Sequence, residues 1–176
     1  MSAPDLRYPI GPFQRPDRLS ETERVSRVDE IASLPAALRA AVAGLEDAQL
    51  DTPYRPGGWA VRQVVHHLAD SHVNAYIRLR LALTEDVPEI RTYREERWAE
   101  LLDARSAPLC LSLDLIDSLH ARWVMLLRSL TPAEMARTLR HPEIGTLSLD
   151  QLTSLYAWHG RHHLAHITSL RGRQGW

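Results

Sequence analysis

The chain has 176 residues, 44% hydrophobic and 24% charged, enough for one domain, residues 1–176, with a sizeable core. Its formal net charge of −1 gives no bulk attraction to nucleic acid or an anionic membrane, so neither is expected as a partner. A single cysteine, Cys110, excludes an internal disulfide, the N-terminus lacks the apolar core of a signal peptide, and no apolar stretch is long enough to span a bilayer; a cytoplasmic protein is expected.

Residues 1–18 hold Pro4, Pro9, Pro12 and Pro16 and read as an extended arm. Ser20 with Glu23 is a capping-box pattern that opens a helix running towards Gly44, which Pro35 is expected to kink or split. Residues 51–58 carry the turn chemistry of a loop, and a second long helix is expected from Trp59 to about Leu83. Tyr93 to Ala104 reads as one short charged helix. Ser112 can cap a third long helix reaching Leu130. Pro132 suits the first position of another short helix, residues 140–147 form a loop or small hairpin, and Ser148 with Gln151 opens the last long helix, to about Arg171. Four long helices in one domain imply an all-α four-helix bundle, up-down-down-up or similar, with short extra helices.

The chemistry is concentrated in two histidine groups. Four of the nine histidines, His159, His162, His163 and His166, fall within two turns of the last helix, and His66, His67 and His72 lie on the second. Neutral imidazole is the commonest protein ligand for zinc and related ions, and a pair spaced i, i+4 shares one helical face. At about 100° per residue, the apolar residues of the last helix centre roughly 40° from His159, where His163 lies; His166 falls at about −20° and His162 at about −60°, near the edge. A lone histidine on such a face is most often a core ring bonded to a carbonyl. Four on one arc, with an i, i+4 pair at its centre, favour a ligand role for His159 and His163.

The second helix has an apolar stripe near 110° from His67 and a smaller one, Val73-Ile77-Leu81, near −80°. Between them runs a polar strip of Gln63, His67, Asp70, Ser71, Asn74 and Arg78. This strip suits the wall of a wet pocket, although it would equally serve as a plain solvated face. His67 points into it and is the expected third ligand. His66 and His72 point elsewhere, His72 into the main apolar sector. Asp70 could orient a ligand ring, Ser71 and Asn74 could hydrogen-bond a substrate, and Arg78 could hold a carboxylate. No catalytic residue is otherwise assigned. His120 and His141 are isolated and read as surface or packing residues. The arm is too short to fold alone and could lie across a partner, and the Val73-Ile77-Leu81 stripe is spare apolar surface; both suggest a homodimer.

Several blocks of this sequence resemble the DinB/YfiT-like superfamily, most closely its YfiT-type branch of metal-dependent hydrolases. They are Tyr8-Pro9-Ile10-Gly11, residues 51–59, residues 61–72, His120-Ala121-Arg122-Trp123, Trp158 through Ile167, and Gly175-Trp176. The resemblance covers nearly the whole chain. It implies a four-helix bundle, often dimeric, holding one zinc or nickel ion per subunit through three histidines that match His67, His159 and His163. Three protein ligands plus a water is the form of a catalytic zinc site, in which the water's pKa drops to about 7. Hydrolysis of a small-molecule substrate is therefore expected. The same ion would bind and deprotonate a thiol, so transfer of a low-molecular-weight thiol such as bacillithiol, as the resemblance suggests for some relatives, is the alternative. A non-catalytic metal-binding stress protein is a third reading. No His-Glu-x-x-His, Gly-x-Ser-x-Gly or paired-carboxylate motif competes.

Overall fold

Capping boxes at Ser20, Thr131 and Ser148 open helices where the sequence places them, each hydroxyl accepting from the third residue of its helix while Glu23, Glu134 or Gln151 accepts from the cap amide. The computed structural model describes residues 5–176; the first four residues of the arm lie outside the described residues. The elements are α1 (Glu21–Val42), α2 (Asp47–Leu50), α3 (Val61–Thr84), α4 (Glu95–Trp98), α5 (Leu102–Ser106), α6 (Leu109–Ser129), α7 (Pro132–Met135), β1 (Thr138–His141), β2 (Gly145–Ser148) and α8 (Leu149–Gln174). The two strands form an antiparallel hairpin with Leu139 opposite Leu147.

The four long helices, α1, α3, α6 and α8, make the bundle. Helix α1 packs against α6 and α8, and so does α3. The chain therefore crosses the bundle diagonally from α1 to α3 and again from α6 to α8. Arg24 pairs with Asp150 and Arg171 donates to the Ala41 carbonyl, so α1 and α8 run parallel. Bonds from Arg39 to Asp117 and from Arg128 to Asp29 set α6 antiparallel to α1. His66 bonds Ser112 and His72 bonds His120, which makes α3 and α6 parallel. The order is up-down-down-up.

Three local expectations are corrected. Helix α1 runs unbroken through Pro35, which is buried in the bundle; the loss of one helical hydrogen bond is tolerated inside packed structure. Residues 93–104 form two short helices rather than one, divided at Ala99–Leu101, where Ala99 turns inward to a buried position. Helix α6 starts at Leu109 after Pro108, and Ser112 sits inside it, its hydroxyl 2.7 Å from His66 Nδ1 instead of capping. The arm follows its own chain: Trp158 Nε1 donates to the Gly11 carbonyl, and Gln151 donates to the Pro16 carbonyl.

The core divides into two apolar clusters. One gathers Ile31, Leu79, Trp123, Met135, Leu139, Leu147 and Leu152; the other gathers Leu34, Leu38, Val64, Leu68, Ile116 and Ile167. Between them, at the middle of α3, α6 and α8, lies a layer of histidines. Helix α1 reaches this layer closely because residue 160 of α8 is glycine: a Cβ there would meet Leu34 Cδ2 at 2.6 Å. Gly160→Val is expected to push the two helices apart and to cost about 1–3 kcal/mol by overpacking. Urea denaturation of parent and variant measures it, and an unchanged midpoint would mean that the contact relaxes freely.

Candidate metal centre

The period of an α-helix places His159 and His163 one turn apart on α8, and the antiparallel packing of α3 brings His67 opposite them. One ring nitrogen of each lies within 4.8 Å of the others. His67 Nε2 and His159 Nε2 are 3.3 Å apart. Two nitrogens bound at about 2.0–2.1 Å to one tetrahedral ion stand roughly 3.3 Å apart, so this spacing fits two ligands of a shared metal. Three neutral imidazoles with no carboxylate or thiolate among them suit zinc, nickel and similar ions.

A second set, His162, His163 and His166, also brings ring nitrogens within 4.8 Å. His162 is buried rather than marginal, because Trp158 stacks on it at 4.5 Å and Tyr8 of the arm covers it at 5.8 Å between centroids. All three rings of this set belong to one helix and share His163 with the first. His166 already donates from Nε2 to the Arg7 carbonyl and stacks on Tyr54 at 3.9 Å. The Nδ1 atoms of His162, His163 and His166 are buried without a partner. The first set spans two helices and includes the 3.3 Å spacing, and it fits a single ion better.

The remaining histidines have protein partners. His66 bonds Ser112 and donates from Nε2 to the Ala107 carbonyl. His72 and His120 are fully enclosed, with His72 Nδ1 at 2.8 Å from His120 Nε2, His72 Nε2 at 3.2 Å from His159 Nδ1, and His120 Nδ1 at 2.7 Å from the Ile31 carbonyl. His141, in β1, accepts from the Glu143 amide away from the cluster.

His159, His162, His163 and His166 line a cavity of about 450 Å³, walled by Tyr54, Arg55, Trp59 and Trp158 and reached by Arg7, Tyr8 and Glu95. Trp59 lies 4.7 Å from His67 between centroids and stacks near His163. Burial lowers the pKa of every histidine in this layer. His67 and His162 are pushed down to about 4, mainly by loss of solvent and further by neighbouring rings, and His159 and His163 lie well below the ordinary value for the same reasons. The rings are therefore neutral near pH 7, the form that binds metal.

The polar strip of α3 is dispersed. Ser71 Oγ lies 3.5 Å from His159 Nε2 and stays with the cluster. Asp70 makes no hydrogen bond to a histidine among the described residues; its carboxyl is pushed up to about 6 by burial and by Asp103. Asn74 donates to the Asp70 carbonyl and lines a different cavity, beside Arg91–Trp98. Arg78 donates to the Tyr156 hydroxyl and the Arg91 carbonyl, which ties down the segment after α3. Glu95 was not singled out in the sequence, yet it lines the histidine cavity, and burial beside Glu96 and Glu143 holds its carboxyl above the usual range. Within an acidic and basic run it looks like an ordinary surface residue. The cavity wall Tyr54-Arg55 and Trp59 came into view only as part of a matched block.

The sequence profile of the DinB superfamily matches residues 30–167. A protein of Bacillus mycoides (strain KBAB4) is 55% identical over 172 residues, covering 98% of this chain and 99% of its own. One from Oceanobacillus iheyensis is 53% identical over 170 residues, covering 97% and 98%. Both carry the name "Putative metal-dependent hydrolase". Among solved structures, YfiT from Bacillus subtilis, described as a probable metal-dependent hydrolase with an unusual four-helix bundle topology, superposes with a TM-score of 0.95 at 48% identity, over 97% of this chain and 98% of that one. A further four-helix bundle protein shares the fold alone, at 22% identity and a TM-score of 0.54.

The depressed histidines give the metal-free protein a pH dependence. An unfolded histidine takes up its proton near pH 6.5, whereas His67 and His162 in the fold do so only at about 4. Their contribution to stability is complete above about pH 6.5 and drains away as the pH falls towards 4. Asp70, raised to about 6, acts in the opposite sense, its contribution fading as the pH rises through 6. The rings outnumber it, so the urea midpoint of the chelated protein should fall between pH 7 and pH 5; a rise would contradict neutral burial.

Proposed function

The chain belongs to the DinB superfamily, and we propose that it is a metal-dependent hydrolase working on a small-molecule substrate with one zinc or nickel ion per chain held by His67, His159 and His163. The observation that carries this reading is the convergence of three neutral imidazoles from two helices, two of which, His159 and His163, line an open cavity. A divalent ion there supplies Lewis acidity, which polarises a scissile carbonyl and eases the loss of a proton from the attacking nucleophile.

The chain's own residues supply the rest. Trp59, Tyr54 and Trp158 wall the cavity with aromatic surface, which excludes water and strengthens electrostatic interaction inside. The Glu95 carboxyl, held above the ordinary range, lines the cavity where it could accept a proton from a nucleophile. Arg55 donates to the Tyr54 hydroxyl and the Pro56 carbonyl and makes no ion pair among the described residues, leaving guanidinium capacity for an anionic group of a substrate. Ser71 Oγ provides a hydroxyl beside His159. An open cavity with three protein ligands separates this site from a closed, four-ligand structural one, which speaks against a purely metal-storing protein.

Metal analysis of variants tests the ligand set. His67→Ala, His159→Ala and His163→Ala should each abolish stoichiometric metal uptake, because each leaves two imidazoles. His162→Ala should retain it. Loss in His162→Ala with retention in His159→Ala would move the site to the second set. Metal-loaded protein, screened against ester and amide substrates and against electrophiles paired with a small thiol such as bacillithiol, should turn over the former and lose activity on chelation. Turnover only with the thiol would replace hydrolysis by thiol transfer.

We further propose a cytoplasmic homodimer. No helix among the described residues is long and apolar enough to cross a membrane. Ile77, 49% exposed on α3, is the outward residue of the stripe with half-buried Val73 and with Leu81, which packs partly against the core. Light scattering at micromolar concentration should give twice the chain mass, and Ile77→Asp should halve it; a monomeric parent would refute the assembly.

A further inference from the structure

Pro35 has no amide hydrogen, so the Ile31 carbonyl, four residues earlier in α1, lacks its helical donor. His120 Nδ1 stands 2.7 Å from that oxygen. A carbonyl only accepts, so His120 carries its proton on Nδ1. The ring is enclosed and, being buried, neutral; its Nε2 is therefore a lone pair. His72 Nδ1, 2.8 Å away, must donate to it. His72 is also neutral and wholly enclosed, so its Nε2 accepts, and the donor 3.2 Å away is His159 Nδ1. The nitrogen that ends this chain as a lone pair is His159 Nε2, which faces His67 Nε2 at 3.3 Å and the Ser71 hydroxyl, a group able to donate to it, at 3.5 Å.

We propose that Pro35, His120 and His72 are positioning residues that hold His159 in the one tautomer whose Nε2 lone pair faces the metal. The inference rests on the ligand set proposed above. Each hydrogen bond fixes the proton position of the next ring, so a main-chain oxygen freed by a proline determines the state of a ligand two rings away. None of the three residues reaches the cavity, and their effect passes entirely through His159. A ligating histidine whose other nitrogen donates to a fixed acceptor is both oriented and made more basic, and removing such an acceptor costs about 10–100-fold in metal affinity.

The tautomers can be read directly. Long-range proton–nitrogen spectra of the protein, metal-free and zinc-loaded, should show His72 and His120 protonated at Nδ1 in both forms and His159 protonated at Nδ1 with zinc bound. A proton on Nε2 of His72 or His120 overturns the proposal, and this measurement needs no variant to fold. Competition with a zinc chelator gives the energetic test. His72→Leu and His120→Leu should each weaken zinc binding by about 10–100-fold. His72→Gln should restore most of it, because the amide can donate to His120 and accept from His159. In a His72→Leu background, His120→Leu should add no further loss. Unchanged affinity in both leucine variants, or additive losses, would overturn it. A parent that takes up no zinc would sink the ligand assignment alone, while the metal-free tautomers still decide the chain.

Discussion

A neutral imidazole buried in a helical core has one N–H and one lone pair, and leaving either unanswered costs free energy. This constraint organises the middle of the bundle. His66 answers both needs with Ser112 and the Ala107 carbonyl. His72 and His120 answer theirs through each other, His159 and the Ile31 carbonyl. His67, His159 and His163 are turned on one another, with the Ser71 hydroxyl 3.5 Å from His159 Nε2. A cation is a natural complement to imidazole nitrogens turned toward one point.

The apolar clusters on either side make this layer affordable. Leu79, Trp123, Met135 and Leu139 on one side, with Leu38, Leu68, Ile116 and Ile167 on the other, are each almost fully enclosed. Burying side chains of this size contributes about 1.5–3 kcal/mol each, before conformational entropy is subtracted. The fold therefore stands on its two ends and can carry a polar stratum between them. The diagonal crossings matter here too: they set α3 beside α8 and against α6, so that both the facing rings and the enclosed ones have partners on a neighbouring helix.

Helix periodicity and capping chemistry are local, and they were legible. The capping boxes, the four long helices, and the placement of His159, His163 and His67 on facing sides all follow from counting along the chain. What tertiary packing decides was not legible. The wheel puts His162 at the edge of its face, but Trp158, Tyr8 and the arm bury it. The polar strip of α3 reads as one wall, yet Asn74 lines a second cavity with residues 91–98, and Arg78 is bonded to the Arg91 carbonyl of that segment. His120 looked isolated because its partners are 48 and 89 positions away. Pro35 looked like a helix breaker because sequence alone cannot supply the donor that takes the place of its missing hydrogen bond.

The arm is fastened through its main chain as well as through the side chains of Tyr8, Phe13 and Arg15. His166 bonds the carbonyl of Arg7, Trp158 that of Gly11, and Gln151 that of Pro16. Every peptide unit carries the same oxygen, whatever side chain it bears. The path is shaped by prolines and by the positive φ of 78° at Gly11, which favours glycine. The carbonyls at 7, 11 and 16 would be held whatever side chain stood there, whereas Tyr8 over His162, Phe13 against Trp158 and Arg15 on the Ile144 and Thr146 carbonyls depend on their identity. The segment that shields the histidines is thus set in place by its backbone, and its side chains decide what the histidines meet there.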